Sequence, residues 1–327
     1  MTRPLPLLPT TSVGSLPKPD SLRRLRTRAA RGDVGPEVLD EAVREATRAS
    51  IRMQEEVGLD LLVHGEMERG DMVAYFAEAW DGFESSGFVR SYGNRYYQKP
   101  VARRPLSARG PVTVDLWRFA QSLTDRPVKG MLTGPYTIMD WSFNEAYPDR
   151  RAFALALADL VHAEALALEA AGARYIQIDE PALSTRPEEI ELAIEAMARV
   201  TRGLAVKTIS HMCYGDWQAV YPRFLDLPVD QLDLEAANNA FAILDLLHRG
   251  PVRPEIALGV VDVHSHRAES ADEVESALLK ALEFLPPERL YVDPDCGLKT
   301  RTEAEARHKL EAVVEGARRV RARLGAT

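Results

Sequence analysis

Four residues in the second half of the chain carry side chains that bind transition metals. His211 and Cys213 are two positions apart in HMC, Glu235 follows QLDL, and Cys296 lies in DPDCGLKTR. Alternate residues of an extended segment point to one side, so the first two can reach one ion. Two thiols, an imidazole and a carboxylate are a suitable tetrahedral set for Zn²⁺. A hydrogen-bonded histidine and two small buried cysteines would give the same pattern, and spacing alone leaves both interpretations open.

The elements that must position these residues form a regular alternation of short apolar runs and segments with helical periodicity. Eight parallel strands of this kind close a single (β/α)8 TIM barrel, so we predict an α/β fold with residues 1–327 as one domain. The predicted strands are Thr11–Ser15, Leu61–His64, Val128–Thr133, Tyr175–Asp179, Val206–Ser210, Gln231–Leu234, Ile256–Val261 and Leu290–Val292.

Three segments have the marks of long helices. Pro36–Val57 has an apolar stripe behind a first-turn proline, Arg151–Ala171 ends at a glycine, and Thr302–Arg321 alternates in charge. The aromatic and β-branched segment Gly87–Val101 has YGN at its centre, which predicts a hairpin inserted after the second strand.

Catalytic residues of such barrels follow the carboxyl ends of the strands. Further polar residues fall at such positions beside the four metal-binding candidates, and this placement strengthens the prediction of one site at one rim. They are Ser15, Glu66, Asp179 and His264.

Composition excludes several classes of partner. The net charge of −8 argues against nucleic acid and anionic membranes, which favour basic surfaces. We expect no signal peptide in the proline-rich start, and no apolar run has the length of a membrane span. With only two cysteines, free thiols or metal ligands are expected rather than disulfides. We therefore expect a cytoplasmic protein.

Long motifs, in order along the chain, resemble the C-terminal catalytic barrel of the cobalamin-independent methionine synthase family. The motifs are TTSVGSLPKP, HGEMERGDMVAYFAE, SYGNRYYQKP, VKGMLTGPYTIMDWSF, YIQIDEPAL, HMCYGDW, VVDVHS and DPDCGLKTR. The resemblance implies methyl transfer to the thiol of L-homocysteine on a zinc ion, giving L-methionine.

Carried over position by position, the resemblance assigns a role to each candidate residue. Carboxylates suit the homocysteine ammonium, and backbone N–H groups around a glycine suit its carboxylate. Two alternatives stay open: an ion pair of Glu66 with Arg69, and a helix N-cap at Asp179. The implied assignments are zinc ligands His211, Cys213, Glu235 and Cys296; a homocysteine pocket of Val13, Gly14, Ser15, Glu66 and Asp179; folate contacts Arg95, Tyr96 and Trp141; and the proton donor His264.

The methyl donor is less well determined than the acceptor. The full-length family carries a second, N-terminal barrel, whereas this sequence begins at the catalytic barrel, and a folate-contacting glutamate of the family corresponds to Thr185. Short relatives are thought to use methylcobalamin or a corrinoid methyl-carrier protein. We therefore favour a corrinoid donor slightly over 5-methyltetrahydrofolate. His264 would be essential with a folate donor and less so with a corrinoid.

Two competing functions remain open at this point. One is alkylation of another thiol such as coenzyme M, whose sulfonate would need basic residues like Lys299 and Arg301. The other is a non-enzymatic scaffold with a vestigial site, which predicts missing metal ligands. If the ion is present, Glu235 is the weakest of the four ligands and the one expected to move when substrate sulfur enters.

Overall fold

The computed structural model describes residues 4–90, 96–213 and 215–326, and the chain divides into two compact units. The first unit comprises Met1–Glu68, Leu116–Lys129 and Gln231–Thr327. The second comprises Arg69–Asp115 and Gly130–Asp230. That the whole chain is one domain stays a prediction.

Helices and strands alternate along most of the described chain. The helices are α1 Asp20–Ala30, α2 Pro36–Val57, α3 Ala74–Ala79, α4 Val114–Gln121, α5 Pro135–Asp140, α6 Arg150–Ala170, α7 Ile190–Thr201, α8 Trp217–Val220, α9 Ala242–Leu247, α10 Ala271–Ala281 and α11 Glu303–Arg323. The strands are β1 Trp80–Arg90, β2 Tyr96–Ala108, β3 Gly130–Thr133, β4 Phe143–Asn144, β5 Tyr175–Asp179, β6 Lys207–Met212, β7 Gln231–Leu234, β8 Glu255–Gly259 and β9 Leu290–Asp293. Short 3-10 helices cover Leu183–Thr185, Pro187–Glu189, Arg223–Asp226, Ala237–Asn239 and Pro287–Arg289.

The first unit is built on three parallel strands in the order β7-β8-β9. Every residue of β7 and β9 is buried, as expected for parallel strands covered on both faces. An isolated parallel bridge from Thr10 to Val292 adds the N-terminal segment to this edge. Outside the sheet, α10 packs closely on α11. The approach is so close that a side chain at Gly316 of α11 would overlap Val274 of α10.

The second unit contains the parallel strands β3, β5 and β6, with β5 between the other two. Helices α5, α6 and α7 pack on one another beside them. A long antiparallel hairpin of β1 and β2 is extended by the two residues of β4, which pair with β2 in parallel.

Six of the eight predicted strands are confirmed, with boundaries shifted by at most two residues at either end. The predictions of strands at Thr11–Ser15 and Leu61–His64 are wrong, because the only bridges at these places in the described chain are isolated ones, at Thr10 just before the first segment and at Leu62 in the second. Side chains form hydrogen bonds with backbone groups that would otherwise pair with a neighbouring strand. The Asp60 carboxylate accepts the Thr10 N–H at 3.0 Å, and the Gln54 amide bonds both backbone groups of Val63 at 2.8 and 2.9 Å.

The predicted helices and hairpin are confirmed. α2 has the predicted bounds, and α6 begins one residue early behind the N-cap Asp149. Thr302 is the N-cap of α11 rather than its first residue. The hairpin strands are longer than expected, and the YGN predicted to lie at the centre of the hairpin is outside the described residues. Within the described ranges, every helix is too short or too polar to cross a membrane.

Candidate functional site

In the second unit, His211 and Cys213 lie at the carboxyl end of β6, and each is 3% exposed. The segment after β5 fixes this strand end. The Glu180 N–H donates to the His211 carbonyl at 2.9 Å, and the Ser184 hydroxyl donates to the Cys213 carbonyl at 2.9 Å. The HMC motif is therefore held in place by its backbone, and two metal-binding side chains are buried close together in sequence and space.

Glu180 also holds the start of α5. Its buried carboxylate accepts the Tyr136 N–H at 3.0 Å and the Thr137 N–H and hydroxyl, both at 2.7 Å. Burial raises the pKa of the Glu180 carboxyl to about 7, although these hydrogen bonds oppose the rise. A side chain at Gly134 would overlap Glu180, so the glycine makes the approach possible. Trp141 directly follows α5, so Glu180 fixes the helix that carries this predicted folate contact.

Asp179 ends β5 beside Glu180 and is 7% exposed. Its Oδ1 accepts a hydrogen bond from the Gln177 amide at 2.7 Å. The N-cap interpretation of Asp179 is wrong, since the next helix begins after Ala182 and has no side-chain cap. Thr185, at the position where the family has a folate-contacting glutamate, is exposed, and its hydroxyl donates to the Ala182 carbonyl.

In the first unit, backbone hydrogen bonds bring three predicted segments together. The Leu298 N–H donates to the Ser15 carbonyl at 2.7 Å, and the Leu16 N–H donates to the Gly65 carbonyl at 3.1 Å. A Cβ at Gly297 would overlap the Ser15 hydroxyl. Segment 13–15, with Val13, Gly14 and Ser15 all buried, thus lies between the segments that carry Glu66 and Cys296.

Glu66 has a left-handed backbone, with φ of +56°. Such a conformation is costly for a residue other than glycine and is often found at functional sites. Lys18, which sequence analysis missed, lies in the field of Glu66 and Glu68. Burial lowers the pKa of the Lys18 ammonium, and these two carboxylates partly oppose that change.

Glu235 follows β7 and is 3% exposed. Its Oε1 accepts a hydrogen bond from the Asn238 amide nitrogen at 2.5 Å. The turn after Glu235 is held by Asp295, whose buried carboxylate accepts the N–H groups of residues 236, 237 and 238 at 2.9, 2.8 and 2.6 Å. Burial raises the pKa of Asp295 to about 7 against these hydrogen bonds. Sequence analysis missed Asp295 although it directly precedes Cys296.

His264 is exposed, in the loop after β8. Its backbone N–H donates to Asp262 Oδ1 at 2.8 Å. The same loop is anchored by Glu269, which accepts the Asp262 N–H at 3.1 Å and pairs with the buried Lys309 at 2.7 Å. Of the other predicted folate contacts, Tyr96 begins β2, and Arg95 lies outside the described residues.

Two of the four predicted metal ligands lie close together within the second unit. The ligand atoms of His211 and Cys213 are within 4.8 Å of each other. The other two, Glu235 and Cys296, belong to the first unit. An imidazole and a thiol are zinc-binding donors, so the chemistry of the His211–Cys213 pair fits that metal.

Comparison with known proteins decides the family. Residues 8–319 match the catalytic domain described as cobalamin-independent synthase. The chain belongs to the cobalamin-independent synthase family. A methionine synthase of Thermococcus kodakarensis is 42% identical over 98% of this chain and 95% of its own length. A 5-methyltetrahydropteroyltriglutamate–homocysteine methyltransferase of Streptomyces avermitilis is 44% identical over 97% of this chain, but only 43% of its own length is matched.

Solved structures of this family share the fold. A B12-independent methionine synthase of Shewanella sp. W3-18-1, in complex with selenomethionine, matches with a TM-score of 0.85 and 29% identity. The match covers 97% of this chain and 99% of that one. The predicted α/β class with a mainly parallel sheet is confirmed, and these relatives are TIM-barrel-type structures.

Proposed function

We propose that this member of the cobalamin-independent synthase family transfers a methyl group to the sulfur of L-homocysteine and so forms L-methionine. The observation that carries the proposal is the buried pair at the end of β6, where the ligand atoms of His211 and Cys213 lie within 4.8 Å of each other. Its context is 42% identity to a methionine synthase over 98% of the chain. A vestigial scaffold would lack metal ligands, whereas all four predicted ligands are present in the sequence.

In this proposal, His211, Cys213, Glu235 and Cys296 hold one zinc ion. When bound, zinc would lower the pKa of the homocysteine thiol, so that the sulfur reacts in its nucleophilic thiolate form. The protein's part is to bury the donors and fix the backbones that carry them. The hydrogen bonds to the His211 and Cys213 carbonyls and the Asp295 clamp after Glu235 serve this purpose.

The amino-acid part of homocysteine requires a partner for each charge. We assign its ammonium to the carboxylates of Glu66 and Asp179, and its carboxylate to backbone N–H groups of Val13, Gly14 and Ser15. The left-handed backbone at Glu66 and the packing of Ser15 against Gly297 support a preformed pocket. Coenzyme M, the alternative acceptor, has no ammonium to bind these carboxylates.

For the donor, we propose a 5-methyltetrahydrofolate-type molecule. The names of several relatives support this choice, and the comparisons give no support to the corrinoid donor or corrinoid carrier favoured from the sequence. Trp141, Arg95 and Tyr96 would contact the folate. His264 would protonate the folate nitrogen as its bond to the methyl group breaks, and its exposed position leaves it open to solvent protons.

The test measures zinc content and methionine formation in wild-type protein and in Cys296→Ser, with methyltetrahydrofolate and methylcobalamin as separate donors. We expect the wild type to use the folate, and the variant to lose both zinc and activity. A Cys296→Ser protein with full zinc and full activity would falsify the site. Turnover with methylcobalamin alone would refute the donor assignment but leave the acceptor chemistry intact.

A further inference from the structure

The turn that follows Glu235 joins two of the proposed zinc ligands, Glu235 and Cys296, through the side chains of Asn238 and Asp295. Asp295, the residue before Cys296, accepts three backbone N–H groups of this turn. The third of these belongs to Asn238, whose side chain donates to Glu235 Oε1 at 2.5 Å. A continuous chain of hydrogen bonds therefore runs from the residue beside Cys296 to the carboxylate of Glu235.

Asp295 is fixed more firmly than a surface cap would be. It is completely buried, and its own N–H donates to the Val261 carbonyl at 3.1 Å. Its carboxylate also lies against Gly259, where an added Cβ would overlap Oδ1. The end of β8 and the backbone of residues 236–238 thus restrain the position of the Asp295 carboxylate.

The turn itself requires such an anchor. Ala240 and Phe241 are consecutive residues with φ of +54° and +63°, both in the left-handed region. Conformations of this kind persist in side chains other than glycine only where surrounding contacts impose them. The three hydrogen bonds to Asp295 supply that constraint and thereby set where the Asn238 amide points.

Glu235 shows what the anchored amide does. One oxygen of its carboxylate accepts a hydrogen bond from the Asn238 side chain, so the protein itself holds this proposed ligand. We propose that Asn238 is a positioning residue that holds the Glu235 carboxylate whenever it is off the metal, with Asp295 keeping Asn238 in place. The inference rests on the proposed function, since it takes Glu235 as an exchangeable zinc ligand.

The hydrogen bond should affect metal binding and substrate binding in opposite directions. Asn238→Ala removes the partner that competes with the metal for the carboxylate, so metal affinity should stay the same or rise. Homocysteine sulfur must then displace a carboxylate that has lost this hydrogen bond, and homocysteine affinity should fall about 3- to 10-fold, as for the loss of one hydrogen bond. Asp295→Asn places an amide against N–H donors, and metal affinity should fall about 10- to 100-fold.

The experiment uses the full chain loaded with Co²⁺ or Zn²⁺. Metal affinity is measured by chelator competition, homocysteine binding by calorimetry, and the number of metal ligands by the visible spectrum of the Co²⁺ protein. Asn239→Ala is the matched control, because it removes the neighbouring amide of the same turn and leaves the Asn238–Glu235 hydrogen bond intact. It should bind metal and homocysteine as the wild type does.

Several results would decide the matter. Weaker homocysteine binding by Asn238→Ala at unchanged or tighter metal binding supports the inference. If Asn238→Ala has the metal affinity, homocysteine affinity and Co²⁺ spectrum of the wild type, the inference is overturned. It is also overturned if both affinities fall equally and the melting temperature falls with them, because that result marks a purely structural role. If the wild type itself binds neither metal, the proposed zinc chemistry fails first, so the two failures are distinguishable.

Discussion

The buried ion pair of Lys309 and Glu269 allows a quantitative test of how the His264 loop is held. The two side chains are 1% and 8% exposed, with Nζ and Oε2 2.7 Å apart. Lys309 also donates to the Arg267 carbonyl, and Glu269 accepts the Asp262 N–H. Lys309→Met keeps most of the buried stem but leaves a carboxylate buried without its cation. We expect the free energy of unfolding to fall by about 3–5 kcal/mol.

Urea unfolding measures this loss, and two further variants isolate its cause. Glu269→Gln/Lys309→Met removes both charges and retains an acceptor for the Asp262 N–H, so it should recover at least half of the lost stability. Lys280→Met is the matched control, because Lys280 is half exposed and 4.0 Å from Asp245. Its effect should stay below about 1 kcal/mol.

The reasoning fails if Lys309→Met unfolds within about 1 kcal/mol of the wild type, since the uncompensated charge would then cost little. It also fails if the double variant is less stable than the single one. In that case, the hydrogen bond that the Glu269 carboxylate accepts from the Asp262 N–H, and not the charge pair, would hold the loop.

Other predictions concern packing, capping, acid sensitivity and proton transfer. Gly297→Ala should overlap the Ser15 hydroxyl and cost about 1–3 kcal/mol in urea unfolding, with weaker homocysteine binding in calorimetry; wild-type values in both would contradict the packing. Thr302→Ala should remove a capping box and about 1 kcal/mol of stability, and an unchanged urea midpoint would refute this. Hydrogen bonds in the same cap lower the pKa of the Glu305 carboxyl to about 2. The stability that this carboxylate contributes is therefore complete above its ordinary pKa of 4.5 and is lost as pH falls towards 2. Glu305→Gln should lack this part of the acid sensitivity, and a dependence of stability on pH identical to that of the wild type would disprove it. His264→Asn should slow turnover with methyltetrahydrofolate about 100-fold or more while leaving homocysteine binding unchanged, and full turnover would remove its role.

Sequence periodicity predicted the elements whose own residues determine them. Six strands and the long helices follow from apolar runs, caps and terminal glycines, which are local signals. The strands predicted near Thr10 and Val63 failed because side chains elsewhere in the chain, Asp60 and Gln54, take up their backbone groups. An apolar run does not reveal such competition.

The sequence offered candidate ligands for the site, which stay predictions, but it did not reveal the residues that hold the backbone around them. Glu180 and Asp295 bond to backbone 44 and 59 residues away, and no short motif records a contact of that separation. A usable signal was nonetheless present, since each carboxylate directly adjoins a predicted site residue, Asp179 or Cys296. An acidic residue next to a predicted metal ligand or substrate contact should therefore be considered as one that holds the backbone around the site.

The central claim is that two thiols from distant parts of the sequence bind one zinc ion. Zinc-edge X-ray absorption of the purified full chain measures it most directly. We expect stoichiometric zinc with two sulfur neighbours in the substrate-free protein, and a third sulfur after homocysteine is added. A metal-free protein that still forms methionine, or a zinc shell without sulfur, would contradict the account.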